Sequence, residues 1–246
     1  MDRKSRVIIG IFICLVTSIV VAQNSFILIT VLYNETNVKR MQEYTTCLER
    51  NIAHQLIEKV HVIYDRARDD DDNKLLQVLK SKHVSLTYVT GRPTYSFCSK
   101  LANEHYPNKK IILSNADIYF NDTLLLLQEY DLTNKFLALT RWNVQKNGMM
   151  QLQRARHARD NIWSQDSWFF QTPLRDFMDN TIHLSTINCD TWIAYQAKKV
   201  GLVVINPCLD IQCCHLHLSQ VRHLGNMPSP KGPGFGVPWS RLKINQ

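Results

Sequence analysis

Several short segments of this sequence bring together side chains that could bind a metal ion or move a proton. One of them is Ser114-Asn115-Ala116-Asp117, which ends the apolar run that begins at Lys110. A carboxylate beside an amide at the end of a buried strand is placed to hold Mg²⁺ or Mn²⁺ against substrate phosphates. The same Asp could instead cap the next turn, and the motif by itself fits both interpretations.

A second segment, Cys213-Cys214-His215-Leu216-His217, is rich in metal-binding side chains. Zinc ligands usually come as two spaced pairs, and because no second pair is evident, structural zinc is not favoured. In a strand, His215 and His217 would share one face, and one of them could then reach a metal held by Asp117. A pair of hydrogen-bonded histidines without a metal is the other interpretation.

Two further aspartates could act on a substrate. Asp190 stands immediately before an amphipathic segment, where an Asp is commonly the N-cap of a helix. In the functional interpretation Asp190 is a general base that takes a proton from an attacking hydroxyl. Asp166 lies in a polar loop before the aromatic run that starts at Ser167, and it could bind a sugar hydroxyl.

The elements that would position these residues alternate between strands and helices. Apolar runs predict strands over 26–32, 60–64, 84–89 and 110–114. Apolar residues at helical spacing predict helices over 38–55, 75–80 and 97–105. Further along, we expect helices over 123–130 and 191–199 and strands over 135–140, 167–170 and 202–205. This order predicts one α/β domain with a mainly parallel central sheet flanked by helices.

Polar motifs follow three of the predicted strands. They are YNET at 33–36, GRPTYS at 91–96 and SNAD at 114–117. Ligands of parallel sheets bind at the carboxyl ends of the strands, so this placement indicates a nucleotide-type site. Neither GxGxxG nor GxxxxGK[ST] occurs, which argues against a dinucleotide site and against a P-loop.

Length and charge restrict the class of protein. The 246 residues suffice for one domain with a full core, and the formal net charge of +8 suits anionic partners. No run of five Lys or Arg occurs, and we expect no nucleic-acid binding. Seven cysteines are present, of which six lie outside the apolar segment near the N-terminus. An even number permits disulfides in an exported chain without requiring them.

The two ends of the chain differ from its middle. Residues 1–23 combine a basic flank with an uncharged apolar stretch, Val7 to Ala22, which predicts a signal peptide or an N-terminal membrane anchor. The protein is therefore expected to be membrane-associated or to enter the secretory pathway. Residues 24–224 are expected to form the catalytic domain, and 225–246 a Gly/Pro-rich irregular tail.

The segments taken in order resemble the GT-A class of glycosyltransferases, and most closely a compact bacterial and large-virus type with an NADIYF segment. The matching pieces cover about 190 residues: ITVLYNETNVKRMQEYTTCLERNI (29–52), GRPTYS (91–96), ILSNADIYFNDTL (112–124), ALTRW (138–142), SQDSWFF (164–170), CDTWIAYQAKKVG (189–201) and NPCLDIQCCHLHLS (206–219).

The resemblance implies metal ligands. GT-A enzymes hold Mn²⁺ or Mg²⁺ against the donor diphosphate with a DxD motif, whose place is taken here by Asn115-Ala116-Asp117. Asp117 then matches the second acid and Asn115 replaces the first. In GT-A enzymes a histidine near the end of the core often completes the coordination shell of the metal. His215 is the first candidate for this histidine and His217 is the second.

The resemblance also implies substrate-binding and catalytic roles. Asp190, or failing that Asp166, matches the base of inverting members. The donor is expected to contact Asn115 and Ala116 together with residues of the first and third strand ends: Thr30, Tyr33 and Asn34 at the nucleoside, and Arg92 at the base or the phosphates.

The implied activity is metal-dependent transfer of a sugar, with inversion, from a nucleotide-sugar to a hydroxyl of a glycan or glycolipid. A UDP-sugar is the expected donor. A catalytically lapsed GT-A domain that binds nucleotide or sugar is the alternative that Asn115 suggests. A nucleotidyltransferase or phosphatase on a similar sheet stays open, although YNETN lacks the glycines of a phosphate loop.

Overall fold

The computed structural model describes residues 25–68, 74–82, 84–153, 164–175, 181–222, 230 and 232–243. The predicted signal peptide or anchor, 1–23, lies outside these residues. Within the described part of the chain, no helix has the length and apolarity needed to cross a membrane.

The described chain contains eleven strands, four α-helices and two 3₁₀ helices. The α-helices are α1 (Val38–Ala53), α2 (Lys74–Ser81), α3 (Tyr95–His105) and α4 (Cys189–Lys199), and the 3₁₀ helices are Arg66–Arg68 and Asp122–Leu127. The strands are β1 (Phe26–Tyr33), β2 (Ile57–Asp65), β3 (Ser85–Val89), β4 (Lys110–Ser114), β5 (Ile118–Phe120), β6 (Lys135–Leu139), β7 (Arg141–Val144), β8 (Met150–Leu152), β9 (Ser167–Gln171), β10 (Val203–Ile205) and β11 (Cys213–His215).

The larger sheet has the strand order β10-β6-β9-β4-β1-β2-β3. All neighbouring strands in it are parallel except β9, which runs antiparallel between β4 and β6. The predicted α/β architecture with a mainly parallel central sheet is therefore confirmed. The reversed direction of β9 has no signature in the sequence.

The central strand β1 is apolar along its length because helices cover both of its faces. Ile27 and Ile29 point to one core, which α3 and α4 complete. Phe26 and Leu28 point to the other, which α1, α2 and the 3₁₀ helix Asp122–Leu127 complete. The carboxyl ends of β1, β2, β3 and β4 therefore meet at one edge of a rigid sheet.

The helix predicted over 123–130 is present but shorter, and it is the 3₁₀ helix Asp122–Leu127. The side chain of Asn121 caps this helix by accepting hydrogen bonds from the backbone N–H and the hydroxyl of Thr123. Only Leu124 and Leu127 are buried, and their spacing of three residues fits three residues per turn.

A second, smaller sheet of the order β5-β11-β7-β8 was not predicted from the sequence. β11 runs antiparallel to β5 and parallel to β7, and β7 forms a hairpin with β8. In this sheet His215 pairs with Ile118 on one side and with Asn143 on the other. The sheet therefore brings the histidine segment next to the turn that contains Asp117.

The six described cysteines are free and buried: Cys47, Cys98, Cys189, Cys208, Cys213 and Cys214. The Gly/Pro-rich tail, as far as the structure describes it, packs on the domain. Phe235 N–H donates to the Thr191 carbonyl, Ser240 N–H donates to the Asn206 carbonyl, and Val237 is buried.

Candidate active site

Asp117 lies in the turn between β4 and β5, at the carboxyl edge of the larger sheet. The turn is closed by a hydrogen bond from Ile118 N–H to the Asn115 carbonyl. The Asp117 carbonyl accepts from Leu216 N–H at 2.9 Å. Because Leu216 stands between the two histidines, this bond fixes the histidine segment directly against Asp117.

Asp117, His215 and His217 are all buried, and one ligand atom of each lies within 4.8 Å of the others. Each histidine donates its remaining ring N–H to the protein. His215 Nδ1 donates to Asn143 Oδ1 at 2.9 Å, and His217 Nε2 donates to the Val221 carbonyl at 2.8 Å. Such bonds fix the tautomer and orientation of metal-binding histidines.

The donor set fits a divalent cation. With its Nδ1–H donating to Asn143 Oδ1, His215 places its Nε2 atom 3.1 Å from Asp117 Oδ2. Two acceptors at this distance need a cation between them or a second proton on the ring. A carboxylate together with two imidazoles is a metal-binding set. The pKa of His217 is lowered mainly by burial and secondly by the positive charge of Arg40, which favours the neutral ring that a metal needs.

Arg40 and Glu43 of α1 belong to this cluster. Arg40 Nη2 contacts Asp117 Oδ2 at 2.5 Å, and Nη1 contacts Glu43 at 2.9 Å. Glu43 in turn accepts hydrogen bonds from the backbone N–H and the hydroxyl of Ser219, at 2.6 and 2.8 Å. The pair therefore connects α1 both to Asp117 and to the chain beyond His217.

The charges around Asp117 decide its protonation. Burial alone would raise the pKa of this carboxyl, but the charges and hydrogen bonds of His215 and Arg40 outweigh burial and hold the pKa well below its usual range. Asp117 is therefore an anionic ligand throughout the physiological pH range.

Sequence reasoning missed Arg40 and Glu43, although their spacing in α1 is a signal for their burial. The buried residues of α1 recur at 40, 43, 44, 47, 48 and 51, which is the spacing of a core-facing helix stripe. Two charged residues at core-facing positions must find partners. Their partners could not be read from the sequence, because Asp117 and Ser219 are distant along the chain.

The predicted nucleoside residues of β1 differ in position. Tyr33 ends the strand, and its hydroxyl lies 3.1 Å from that of Tyr44, to which Arg40 Nε donates. Asn34 is buried in the following loop. Thr30 lies within the strand and not in the loop, and its buried hydroxyl has no hydrogen-bond partner among the described residues.

Asn115 joins Asp166 to the edge of the sheet. Asn115 Nδ2 donates to Asp166 Oδ1 at 3.1 Å, and Arg141 Nη1 donates to the same oxygen at 3.0 Å. The Asp166 carbonyl also accepts from Asn115 N–H. Both polar groups of the Asn115 side chain are used, because Ser185 Oγ lies 3.5 Å from its Oδ1.

The carboxylate of Asp166 therefore requires a hydrogen-bond donor at position 115, which Asn115 supplies. We expect Asn115→Asp, which would restore the DxD pattern, to destabilise the protein by about 1–3 kcal/mol, since it replaces a donor to Asp166 by a like charge. Urea unfolding at pH 7.5 would measure this. The double variant Asn115→Asp/Asp166→Asn should recover most of the loss, and a single variant as stable as the wild type would contradict this role.

Arg92 reaches the same edge from the loop after β3. Its Nη1 donates to the Ser185 carbonyl at 3.1 Å, and Ser185 is the residue that contacts Asn115. Ala116 stands in the turn beside Asp117 and is partly exposed. The structure thus brings Arg92, Asn115, Ala116, Asp117 and Asp166 to one continuous edge.

Asp190 is not the N-cap of its helix, which is a correction to that interpretation. The N-cap of α4 is Asn188, in the left-handed conformation with φ 63°, and Asp190 is the second helical residue. Its Oδ2 accepts from Gln165 N–H at 3.1 Å and its Oδ1 accepts from Thr191 N–H at 2.9 Å. Gln165 adjoins Asp166, so both acidic candidates lie in one region.

The environment of Asp190 raises its pKa to about 6. Burial is the main cause, and the negative charge of Asp166 adds to it, while the hydrogen bonds from Gln165 N–H and Thr191 N–H act in the opposite direction. A partly exposed carboxylate with a pKa just below neutrality has the proton affinity that a general base needs.

The comparisons with known proteins identify the fold. No protein-family model and no curated protein matches the chain. Among solved structures, the chain is similar to the mannosyltransferase PcManGT from Pyrobaculum calidifontis in complex with GDP-Man and Mn²⁺, with 16% identity and a TM-score of 0.51. The match covers 77% of this chain and 56% of that one, so the chain spans little more than half the length of that enzyme.

Two structures of S. aureus TarS match at a TM-score of 0.46 and 14% identity, over 78% of this chain and over 58% and 35% of theirs. The likeness to the mannosyltransferase shows that the chain has the GT-A fold, which confirms the fold that the sequence motifs imply.

Proposed function

We propose that this protein is a metal-dependent glycosyltransferase that moves a sugar from a nucleotide-sugar donor, in the first instance a UDP-sugar, to a hydroxyl of a glycan or glycolipid. The observation that carries the proposal is the cluster of Asp117, His215 and His217 at the carboxyl edge of a GT-A sheet. This is the edge at which open α/β sheets bind their ligands.

Asp117, His215 and His217 would hold the ion, which is Mn²⁺ or Mg²⁺. The two imidazoles favour Mn²⁺, because Mg²⁺ prefers oxygen ligands and sheds its water reluctantly. When bound, the ion supplies Lewis-acid neutralisation of the charge that develops on the leaving diphosphate. The structure of the mannosyltransferase PcManGT is a complex with GDP-Man and Mn²⁺, which supports a nucleotide-sugar and a divalent metal here.

The donor-binding residues that we propose surround this cluster. Tyr33, Asn34 and Thr30 would lie on the nucleoside side, with Thr30 acting from within β1. Arg92, Asn115 and Ala116 would lie on the phosphate and sugar side. The guanidinium of Arg92 is partly exposed and can rotate from Ser185 to a phosphate, which a bound diphosphate would favour.

Asp190 is our first candidate for the base. It would accept the proton of the acceptor hydroxyl while that oxygen attacks the anomeric carbon, with inversion. Asp166 is the second candidate, but Asn115 and Arg141 already occupy its Oδ1. We therefore expect Asp166 to hold Arg141 in place and to contact a sugar hydroxyl.

The N-terminal segment 1–23 would keep the domain near a membrane if it is not cleaved. Its basic flank and apolar stretch fit such an anchor, and a membrane-bound enzyme suits a glycolipid or glycan acceptor. A cleaved segment would release the same domain into the secretory pathway.

A catalytically lapsed nucleotide- or sugar-binding module is the alternative function. It is favoured by Asn115, which the structure engages with Asp166 and Ser185, and by Arg40, which already balances the charge of Asp117. Such a module would bind the nucleotide but release no sugar from any donor.

Calorimetric titration of UDP and of GDP into the protein, with and without Mn²⁺, tests the proposed function. We expect one nucleotide to bind in a metal-dependent manner, and His217→Gln to weaken that binding by about 10- to 100-fold. His105→Gln, an exposed histidine of α3 outside the site, is the matched control and should bind as the wild type does.

The outcomes of this titration separate the alternatives. Metal-dependent binding followed by sugar release in a donor screen supports the transferase. Binding without release from any donor supports the lapsed module. No binding of either nucleotide under any metal condition would refute a nucleotide-sugar site altogether.

A further inference from the structure

The hairpin of β7 and β8 has one polar and one apolar face. Trp142 and Leu152 pair across the strands on the apolar face, where Leu152 packs against the core and Trp142 Nε1 donates to the Cys208 carbonyl. Alternate residues point the other way. On that polar face Asn143 pairs with Gln151, and Asn143 Nδ2 donates to Gln153 Oε1 at 2.7 Å.

This polar face is one wall of a cleft of about 900 Å³, and the chain from His215 to Arg222 is the other wall. Of the described residues that line the cleft, six are Asn or Gln and none is Asp or Glu. Amide side chains donate and accept hydrogen bonds at the same time, which suits the hydroxyl groups of a sugar. Five of the six amides come from the hairpin side and Gln220 comes from the opposite wall, and a merely solvated hairpin face has no need for so many amides facing a common space.

The cleft is also positively charged. Arg141, Lys146 and Arg222 line it, and Arg141 is paired with Asp166. Lys146 and Arg222 are exposed, and neither forms an ion pair with any residue that the structure describes. A cleft lined by charges of one sign raises the local concentration of oppositely charged ligands.

The position of the cleft fits the acceptor and not the nucleoside. His215 and His217 are shared between the cleft and the metal cluster, so a hydroxyl of a molecule in the cleft can approach the sugar on the diphosphate. Among the described lining residues, none comes from the loops that follow β1, β2 and β3, where the nucleoside is expected.

We propose that the cleft between the β7–β8 hairpin and residues 215–222 binds the acceptor, and that this acceptor is a glycan that carries an anionic group, either a phosphate or a carboxylate. The proposal rests on the proposed function and extends it to the charge of the acceptor. The amides of the hairpin bind the sugar hydroxyls, and Lys146 and Arg222 bind the anionic group.

A glycan array that contains neutral, uronate-bearing and phosphate-bearing oligosaccharides, probed with the whole chain, tests this proposal. We expect binding to be confined to acidic glycans, and the two acidic sets distinguish carboxylate from phosphate. Lys146→Gln/Arg222→Gln should weaken binding to the strongest acidic glycan by about tenfold, since each exposed charge pair contributes modestly.

The matched control is Lys59→Gln/Lys100→Gln, which removes two exposed positive charges outside the cleft. It should bind the acidic glycan as tightly as the wild type. Equal losses of affinity for the acidic glycan in both double variants would show a non-specific effect of net charge and would overturn the proposal. The proposal would also be overturned if the protein bound neutral glycans as strongly as acidic ones, or if it bound no glycan.

Nucleotide titration of the same variants separates this proposal from the proposed function. If Lys146→Gln/Arg222→Gln weakens nucleotide binding in place of glycan binding, the cleft belongs to the donor and the proposal is wrong, while the transferase stands. If no variant and no wild-type protein binds nucleotide but acidic glycans bind in the cleft, the transferase fails and the anionic glycan site stands.

Discussion

Asp190→Asn is expected to lower turnover by about a thousandfold, which is within the range for removal of a general base, and to leave metal-dependent nucleotide binding unchanged. The amide keeps the shape of the carboxylate and an acceptor for Thr191 N–H or Gln165 N–H, but it cannot take a proton from a hydroxyl. Single-turnover release of sugar from the donor, with nucleotide affinity measured beside it, gives both quantities.

The pH dependence of the proposed sugar transfer by the wild-type protein should follow the same carboxyl. Because the base must be ionised and burial raises the pKa of Asp190 to about 6, kcat/KM should rise with pH through about 6 and level off above 7. This limb should be absent from the residual activity of Asp190→Asn. A profile with its acidic limb centred near 4 would contradict the assignment of the base.

Stability should change with pH in the direction that a buried base requires. Between the unfolded pKa near 3.8 and the folded pKa of about 6, the folded protein holds a proton that the unfolded chain releases, so wild-type stability falls as pH rises. The free energy of unfolding of Asp190→Asn, measured relative to that of the wild type, should increase by on the order of 2 kcal/mol as the pH is raised from 4 to 7.5. An Asp that only served the helix N-terminus would give the opposite sign.

Arg40→Met is expected to reduce the free energy of unfolding by about 3–5 kcal/mol, because removal of one partner leaves a buried charge uncompensated. The Arg40 and Asp117 side chains are 8% and 11% exposed and 2.5 Å apart, and Glu43 would lose its partner as well. Urea unfolding at pH 7.5 in the presence of a chelator measures the effect without a contribution from metal.

Two comparisons make this prediction specific. Arg50→Met removes an exposed arginine of the same helix, which contacts the ring of Tyr119, and should cost less than about 1 kcal/mol. Arg40→Met/Asp117→Asn removes both charges and should recover part of the loss. If Arg40→Met were as stable as Arg50→Met, the ion pair would have no structural role.

Mn²⁺ should stabilise Arg40→Met more than it stabilises the wild type, since the cation takes over the neutralisation of Asp117. The same comparison of thermal unfolding with and without Mn²⁺ should show no such gain in Arg40→Met/His217→Gln. This would connect the buried ion pair to the metal cluster by measurement.

The parts of the fold that depend on local sequence patterns could be predicted from the sequence. The apolar run from Lys110 to Ser114 predicts β4 with its observed bounds, and the alternation of strands and helices predicts the mainly parallel sheet. The same patterns indicate the edge at which Asp117 lies, because polar residues follow the strands there.

The remaining features depend on contacts between distant parts of the chain. The antiparallel pairing of β9 with β4 and the pairing of β5 with β11 join residues more than 50 positions apart, for which short strands carry no register signal. The ion pair of Arg40 with Asp117 spans 77 positions. The sequence predicts Asp190 as a helix cap because it does not show that Asn188, two residues earlier, adopts the left-handed conformation.

The central claim is that Asp117, His215 and His217 hold a divalent cation. Anomalous diffraction at the manganese edge, from crystals of the protein grown with UDP and Mn²⁺, tests it most directly. We predict an anomalous peak about 2.0–2.6 Å from a carboxylate oxygen of Asp117 and from a ring nitrogen of at least one of the two histidines. Crystals that contain the bound nucleotide but show no manganese at these residues, or show it coordinated elsewhere, would contradict the claim.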